Sequence, residues 1–521
     1  MNPHQQAAGL QQAHTTNAPG KNGAPSDRAA VGNGSRGLQL GRKRPRLLAK
    51  TSTSREFVER KIVTGDVDLR EEGPTSDKLH EIGKQRRGKV PRESHAEWIA
   101  PKNRPNPVST VLASNKGRQQ ELIPVRMGRM AASPFTFLRG AAAVMAWDLS
   151  KTPSMGHTVI IDGDAHLNNF GFYGTAQRDL IFDLNDFDEA TLGPWEWDLK
   201  RLVASVNVAA RDNGMNRRER RTSVVRCVEG YRMNAKRLQA MPALDIWYLH
   251  AYLDRTSRLM RIDPKSQAIL AKAMAKARMQ TNTALLKKIA ERRANGAWQF
   301  RTDPSILTPI SSETRQKVIE GLNGYTSTLL RERKNLLRKY HVVDVAHRVV
   351  GVGSVGTRAY LVLLMGRGDD DPLFLQVKEA TVPAHAPYLP KLPEEFSHEG
   401  KRVVTLERAL QASSDLLLGW TSIDNKPFYV RQMKNMKGGM PVEFLVGEQM
   451  SFYAWACGAL LARAHARTGE PALIAGYCGG SKALDEALAD WAEAYGDQTE
   501  ADHAALVKAI KTGQVKAITV E

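Results

Sequence analysis

The sequence of 521 residues contains few cysteines and no long apolar run. Its three cysteines, Cys227, Cys457 and Cys478, lie far apart, which excludes a disulfide scaffold and a cysteine-rich zinc site and suits a reducing compartment. The longest apolar runs, such as AYLVLLMG at 359–366, have the length of a strand, whereas a membrane span needs about 20 residues. The start of the chain also lacks the charged-then-apolar order of a signal peptide. We therefore expect a cytoplasmic protein without a membrane span.

Two kinds of functional signature are also missing. Aromatic residues make up only 7% of the chain, and there is no zinc-finger spacing, RNA-recognition signature or alternation of aromatic and basic residues. This counts against a dedicated nucleic-acid-binding domain. The 13 histidines are scattered without a paired motif, which counts against a metal-dependent phosphoesterase, because such sites need several histidine ligands.

Positive charge is what the sequence has in excess. Lys and Arg number 75 against 55 Asp and Glu, which gives a net charge of +20. Residues 1–61 hold 11 of these basic residues and only three acidic ones, without apolar periodicity, and we predict a disordered basic tail over 1–90. The excess favours anionic partners, namely nucleotide phosphates, an acidic membrane surface or nucleic acid. Nucleic-acid binding through the tail is the less favoured alternative.

The residue patterns after the tail indicate an α+β protein. Helical periodicity dominates 91–340 and returns over 437–521, whereas strand patterns interrupted by glycines fill 341–436. We predict a five-stranded antiparallel sheet with one helix, near 398–412, in this middle part.

The run DGDAHLNNFG at 162–171 follows a β-type segment and carries the first group of candidate residues. Asp164 could accept a proton from a substrate hydroxyl, His166 could organise the loop, and Asn169 could hold a divalent cation. The alternative is an ordinary turn, because Asp, Asn and Gly are common turn residues.

The run DLNDFDEATLGP at 183–194 follows a second β-type segment and is dense in carboxylates. Asp183, Asp186 and Asp188 could supply the oxygen ligands that Mg²⁺ prefers. A solvated acidic turn is the alternative. The run lies about 17 residues after Asn169, so the two oxygen-rich loops could converge on one metal.

The run GVGSVG at 351–356 lies between two β-type segments and carries Gly351, Gly353, Ser354 and Gly356. A Rossmann loop would lead into a helix, whereas a glycine loop between two strands is the geometry that covers phosphates in kinases. Lys378 follows in an apolar strand, where a lone lysine needs a partner such as a nucleotide phosphate. A glycine-rich hairpin and a lysine at a strand edge are the alternatives.

Together these parts match the active site of protein kinases, in which a glycine loop and a strand lysine hold the phosphates and loop residues hold Mg²⁺ and orient the hydroxyl. The run GDAHLNN at 163–169 resembles the G-D-x-H-x-x-N loop of aminoglycoside and choline kinase-like enzymes. The run at 186–199 resembles the stretch that follows there. This resemblance implies that Asp186 is the principal metal ligand and Asp198 a structural residue, with Asp188 and Asp183 as secondary metal ligands.

The order of these parts differs from that of an ordinary kinase, because the glycine loop and Lys378 follow Asp164 and Asp186 by roughly 190 residues. We therefore predict a circularly permuted, protein-kinase-like two-lobe fold. Its catalytic loop and helical C-lobe would begin in 91–340, its N-lobe would be 341–436, and the helices of 437–521 would complete the C-lobe.

Over about 92–515 the chain also resembles domain-of-unknown-function family 2252, a largely bacterial group whose name implies no reaction. The resemblance is carried by the runs RMAASPFTFLRGAA, DGDAHLNNFG, IFDLNDFDEATLGPWEWDLKRL, LFLQVKEA, PFYVRQM and LLARAHART.

We expect an ATP- and Mg²⁺-dependent phosphotransferase acting on an unidentified, small-molecule type of acceptor. Adenylyl transfer by the same fold and non-catalytic binding of nucleotide or nucleic acid stay open as alternatives. Arg126, Arg129 and Arg139 could line a phosphate site, or could be surface and capping residues. The strand lysine could pair with Glu399 or Glu407 in the helix that follows.

Overall fold

A computed structural model describes residues 72–253, 263–303, 306–349 and 351–518. The chain divides into two units, Met1–Thr51 and Ser52–Glu521, and every described residue belongs to the second unit. Most of the predicted basic tail therefore lies outside the described residues.

Helices dominate the described part of the chain, and short antiparallel strands complete a mixed α/β fold. None of the described helices is long and apolar enough to cross a membrane. In chain order the α-helices are α1 (Ser76–Arg86), α2 (Pro107–Ala113), α3 (Ile123–Ala131), α4 (Pro134–Gly140), α5 (Ala142–Leu149), α6 (Trp195–Asp212), α7 (Arg217–Leu238), α8 (Ala243–Tyr248), α9 (Pro264–Arg278), α10 (Asn282–Ile289), α11 (Ser312–Ser327), α12 (Arg331–Leu337), α13 (Glu399–Leu410), α14 (Gly447–Ala466), α15 (Pro471–Cys478) and α16 (Ala483–Lys511).

Helix α6 forms the centre of the helical part. Every residue from Trp195 to Ala210 is buried, so the helix is surrounded by other elements. Glu196 and Asp198 lie in its first turn, where the helix dipole favours acidic side chains. The core that holds α6 also fixes the positions of the side chains at its N-terminal end.

The strands form one large sheet and three separate pairs. The large sheet is antiparallel and has the order β11-β12-β10-β9-β8-β7. Five of its six strands come from the segment predicted to hold five, and the sixth is the two-residue strand β7 from an earlier segment. The strands are β1 (Thr158–Ile161), β2 (Phe170–Gly174), β3 (Leu180–Leu184), β4 (Thr191–Pro194), β5 (Ala290–Arg292), β6 (Trp298–Phe300), β7 (Leu307–Thr308), β8 (His341–Arg348), β9 (Ala359–Gly366), β10 (Gly368–Glu379), β11 (Gly419–Ile423) and β12 (Lys426–Gln432).

The predicted boundary between 340 and 341 does not coincide with the packing. Helix α11 precedes this boundary, but its residues Val318, Leu322 and Tyr325 belong to the core on one face of the sheet. Helix α10 supplies Leu285 and Leu286 to the core on the opposite face. Helical periodicity identifies these helices but not the core that each one joins, which is why the sequence assigned them to the helical part.

The predicted disorder over 1–90 is wrong for the part of that range that the structure describes as helix α1. This helix packs so closely against α15 that a Cβ on Gly83 would collide with the carbonyl oxygen of Leu473. Arg87, just after α1, donates from Nε to the carbonyl oxygen of Tyr477 at 2.9 Å. Apart from Leu79 and Ile82, the contact uses a glycine and an arginine–carbonyl hydrogen bond, which leave little apolar periodicity in the sequence.

Candidate active site

The loop between β1 and β2 is held by the first turn of α6. The backbone N–H groups of Asp162 and Gly163 donate to the Asp198 carboxylate at 2.6 and 2.9 Å. Asp198 is 1% exposed and also lies 3.2 Å from Nε2 of His465. Gly163 has a φ of +75°, and a Cβ there would collide with the backbone of Glu189, so this position requires glycine. Asp198 therefore fixes the backbone of the loop.

Asp164 projects from this loop and is paired with a buried arginine. Arg201, one turn after Asp198 on α6, donates from Nε to Asp164 Oδ1 at 2.7 Å and makes a second contact through Nη2. The Asp164 side chain is 23% exposed, so it also faces solvent. His166 Nε2 lies 3.6 Å from Asp164 Oδ2, and burial lowers the pKa of His166 to about 4. His166 is therefore neutral at pH 7, and Arg201 is the cation that holds Asp164.

Asn169 connects the loop to the acidic segment that follows β3. Its amide nitrogen donates to Asp162 Oδ2 at 2.9 Å, to the carbonyl oxygen of Asp186 at 2.8 Å and to that of Asp164 at 3.3 Å. Asp162 is fully buried, and burial together with the nearby Asp198 and Asp164 raises its pKa well above the usual range. The two oxygen-rich loops predicted to converge do lie next to each other.

Lys378, on β10, bridges Asp186 and Asp188. Its Nζ lies 3.3 Å from Asp186 Oδ2 and contacts Asp188 Oδ2. Burial alone would raise the pKa of Asp186, but the charges of Lys378 and Arg431 outweigh it and lower the pKa. Asp186 and Asp188 also lower the cost of burying Lys378, whose pKa they raise. The sheet and the helical part therefore meet at a partly buried cluster of opposite charges.

Asp183 does not join this cluster. It is fully buried, its Oδ1 contacts Arg463 of α14, and its Oδ2 accepts from the N–H of Ala412 at 2.9 Å. The expectation that Asp183 is a secondary metal ligand is therefore not supported by its surroundings. The carboxylate is occupied by an arginine and a backbone N–H that tie β3 to the helical core.

The glycine run forms the turn between β8 and β9, as its position between two β-type segments predicted. Gly356 has a φ of +88°, and its carbonyl oxygen accepts from the N–H of Gln119 at 2.7 Å. Ser354 donates from Oγ to Asp188 Oδ2 at 3.1 Å. Gly351 and Gly353 lie in the same turn, and a Cβ added to Gly351 would meet no atom of the described residues within 4 Å. The turn is thus placed beside the cluster of Lys378, Asp186 and Asp188.

Neither helix glutamate pairs with Lys378. Glu399 contacts Arg402 within α13. Glu407 is 3% exposed, and its Oε2 makes no hydrogen bond. Lys378 is surrounded instead by the acidic segment after β3.

Oxygen atoms suited to Mg²⁺ lie around Lys378. Oδ1 of Asp188 is buried without a hydrogen-bond partner, and the Asp186 side chain is 43% exposed. Within the described ranges, no group of three or more His, Cys, Asp or Glu side chains is arranged to hold a metal ion. Mg²⁺ is often bound by one or two carboxylates together with water and substrate phosphates. Asp186 and Asp188 therefore fit a metal that is bound jointly with a nucleotide.

Two residues of the site were not predicted as such. Arg201 carries a weak signal, because it lies three residues after Asp198 and so on the same face of the helix. Arg431, on β12, donates to the carbonyl oxygen of Asn185 at 2.8 Å and lies 3.9 Å from Asp186 Oδ1. Its role depends on the pairing of β12 with β10, which brings Gln376 opposite Arg431, and the sequence does not reveal that register.

Comparison with known proteins identifies a family but no characterised relative. A family model described as "Uncharacterized protein conserved in bacteria (DUF2252)" matches residues 118–509. This range includes every residue of the site described above. Searches of curated proteins and of solved structures found no match.

Proposed function

We propose that this chain, which belongs to the DUF2252 family, is an ATP- and Mg²⁺-dependent phosphotransferase with a kinase-like active site in circularly permuted order. The observation that carries the proposal is the contact of Lys378 with Asp186 and Asp188. These residues come from a strand of the sheet and from a loop of the helical part, about 190 residues earlier. A strand lysine, a glycine turn and a pair of loop carboxylates at one place form the arrangement that binds a nucleotide triphosphate with its metal in kinases.

The contacts at the end of α14 support the permuted order. The N–H of Ile160 in β1 donates to Thr468 Oγ1 at 3.2 Å, and the N–H of Glu470 donates to His157 Nε2 at 3.1 Å. The chain that leaves α14 therefore lies beside the chain that enters β1 and the loop of Asp164. A path from the sheet through α14 into β1 would give the glycine turn, Lys378, Asp164 and Asp186 in the order of an ordinary kinase.

The segment between β12 and α14 also joins the sheet to the loop region. Phe172 of β2 and Gly438 exchange two backbone hydrogen bonds, at 2.7 and 3.0 Å. Asn435 donates from its side chain to the carbonyl oxygen of Gly174 at 2.6 Å. A short connection that docks on the strand after the catalytic loop fits the role of a hinge between two lobes.

Each residue then has a distinct role in the proposed reaction. Lys378 and the backbone of 351–356 would hold the phosphates of ATP, and Asp186 and Asp188 would hold Mg²⁺, which supplies charge neutralisation when bound. Asp164, fixed by Arg201, would orient the acceptor hydroxyl and take its proton. The hydroxyl oxygen forms the new bond to the γ-phosphorus while the bond from that phosphorus to the bridging oxygen of ADP breaks, so ADP leaves.

Thermal unfolding tests nucleotide binding directly. Mg–ATP at a concentration well above its Kd should raise the Tm, because a ligand that binds only the folded state stabilises it. Asp186→Asn should abolish this shift, whereas Asp497→Asn, at a side chain that is 70% exposed, should preserve it. No shift for the unaltered protein at any Mg²⁺ concentration would refute the proposal.

The position of a radioactive label in ATP then identifies the transferred group. Transfer of the γ-label to an acceptor in a cell extract, lost in Asp186→Asn, is the expected result. Transfer of the α-label instead would show adenylyl transfer by the same site.

A further inference from the structure

Arg139, at the end of α4, has a buried guanidinium nitrogen without a partner. Its Nε is shielded from solvent and makes no hydrogen bond. The described residues place no carboxylate within ion-pair distance of this side chain, and its Cζ lies 5.9 Å from the centre of the Phe135 ring. A partly buried arginine ordinarily has an anionic partner, because burial of an unpaired charge is costly.

The position of Arg139 is between the glycine turn and Asp164. Its carbonyl oxygen would lie 3.5 Å from a Cβ on Gly353. The preceding carbonyl group, of Leu138, accepts from Nη2 of Arg201 at 3.1 Å, and Arg201 is the residue that holds Asp164. Burial and Arg201 lower the pKa of Arg139, and Asp164 is the group that raises it most. The end of α4 therefore lies against the glycine turn and against the arginine that holds Asp164, whereas Lys378 lies beside Asp186 and Asp188.

Two neighbouring arginines also lack acidic partners among the described residues. Arg126 is 2% exposed and donates to Asn115 Oδ1 and to the carbonyl oxygen of Gly140, each at 2.7 Å. Arg118 donates to the carbonyl oxygen of Val355, in the glycine turn, at 2.7 Å. Neither of these arginines forms an ion pair with a described carboxylate, and within the described residues the Arg139 side chain makes no hydrogen bond.

We propose that Arg139 binds an anionic group, phosphate or carboxylate, carried by the acceptor molecule. The inference rests on the proposed function, since it takes Asp164 as the residue that orients the acceptor hydroxyl. A guanidinium group matches both anions through paired, charge-assisted hydrogen bonds. The acceptor is accordingly an anionic hydroxy compound, in contrast to the cationic acceptors of the aminoglycoside and choline kinases that the loop resembles.

Inorganic phosphate is the probe for this site, and its binding is measured by calorimetry on the full chain. The measurement is made with the free protein and with protein saturated with Mg²⁺ and AMP-PNP, whose three phosphates fill the proposed nucleotide site. Arg139→Gln should weaken phosphate binding at least about tenfold in both cases, because it removes a charge-assisted interaction. Arg139→Lys should retain part of the affinity. Arg217→Ala, at a side chain that is 78% exposed, should have no effect.

The outcomes separate this inference from the proposed function. Equal phosphate affinity in Arg139→Gln and the unaltered protein would overturn the inference. Loss of phosphate binding when AMP-PNP is bound would also overturn it, because Arg139 would then belong to the site of the triphosphate. Loss of the Mg–ATP shift in Tm in Arg139→Gln would overturn it for the same reason. Phosphate binding that depends on Arg139 in a protein that shows no Mg–ATP shift would refute the phosphotransferase but leave the anion site standing.

Discussion

At the scale of single residues, Glu407 is a buried carboxyl group with an incomplete set of partners. It lies on α13, is 3% exposed, and leaves Oε2 without a hydrogen bond. Burial raises its pKa to about 7, although Arg431 and Lys437 act in the opposite direction. The folded state therefore holds a proton on Glu407 at pH values where the unfolded chain has released it.

Replacement of Glu407 by glutamine should change how stability depends on pH. The folded-state pKa of about 7 exceeds the ordinary value of 4.5, so the favourable contribution of this group is complete below pH 4.5 and is lost as the pH rises through 7. Glutamine does not ionise, so the free energy of unfolding of E407Q relative to the unaltered protein should increase by roughly 2–3 kcal/mol from pH 5 to pH 8. Urea titrations at both pH values measure this change. A difference between E407Q and the unaltered protein that does not change with pH would contradict the buried, protonated state.

The carboxylates of the site could be identified from the sequence more readily than their partners. Dense Asp and Asn after β-type runs indicated Asp164, Asn169, Asp186 and Asp188. The same density could not distinguish Asp183, because only the folded chain shows that Arg463 covers it. The partner of a charged group is set by contacts between distant segments, which a local pattern does not contain.

At the scale of elements, the close packing of α14 on α7 depends on glycine residues, which have no side chain at the contact. A Cβ on Gly458 would collide with the carbonyl oxygen of Cys227, and one on Gly230 with that of Trp455, so the two helices approach through glycines from both sides. A Cβ added at either glycine would meet backbone atoms of the other helix. The clash therefore cannot be relieved by moving a flexible side chain. Helix α14 follows the last strand of the sheet in the chain and contacts the loop that carries Asp164. The proposed site therefore depends on the packing of α14 against α7.

Gly458→Ala should therefore destabilise the protein by about 2–4 kcal/mol, although alanine favours helix formation, because overpacking forces the helices apart. Gly480→Ala, at a position where an added Cβ would meet no atom of the described residues within 4 Å, should change the free energy of unfolding by less than about 1 kcal/mol. Urea titration of both variants at one pH gives the comparison. Equal stability of the two would show that the helices do not approach as closely as described.

Elements with strong local signals were predicted well, and their ends and partners were not. The β-type runs around the first loop are the strands Thr158–Ile161 and Leu180–Leu184. Helical periodicity over 91–340 did not show where helices α9 and α10 separate, which is at Thr281, whose side chain caps the second helix by accepting from the N–H of Ala284. Helical periodicity over 437–521 likewise did not show that Ala483–Lys511 is one continuous helix, which packing against α6 and α7 maintains through its polar middle.

At the scale of the whole molecule, the site exists only where the sheet meets the helical part. The family match confirms the resemblance that the long sequence runs indicated. The permuted kinase-like order stays a proposal, and it requires that Lys378 and the segment after β3 act on one another in the folded protein. Local patterns supplied both halves of the site but carry no information on this contact, because sequence separation of this size leaves no periodic signal.

A double-mutant cycle between Lys378 and Asp188 measures that contact as a free energy. Lys378→Met should leave Asp188, whose side chain is 19% exposed, without an ion-pair partner among the described residues and destabilise the protein by about 3 kcal/mol or more, because an unpaired, largely buried charge is costly. Asp188→Asn should cost less, since Asp186 still faces the lysine at 3.3 Å. Both single changes remove the same interaction. The double variant should therefore lose about 1–3 kcal/mol less free energy of unfolding than the sum of the two single losses. In the control pair, Lys378→Met and Asp497→Asn, the losses should be additive within about 0.5 kcal/mol. Additivity of the first pair as well would mean that the sheet does not present Lys378 to this segment, and the phosphotransferase proposal would lose the observation on which it rests.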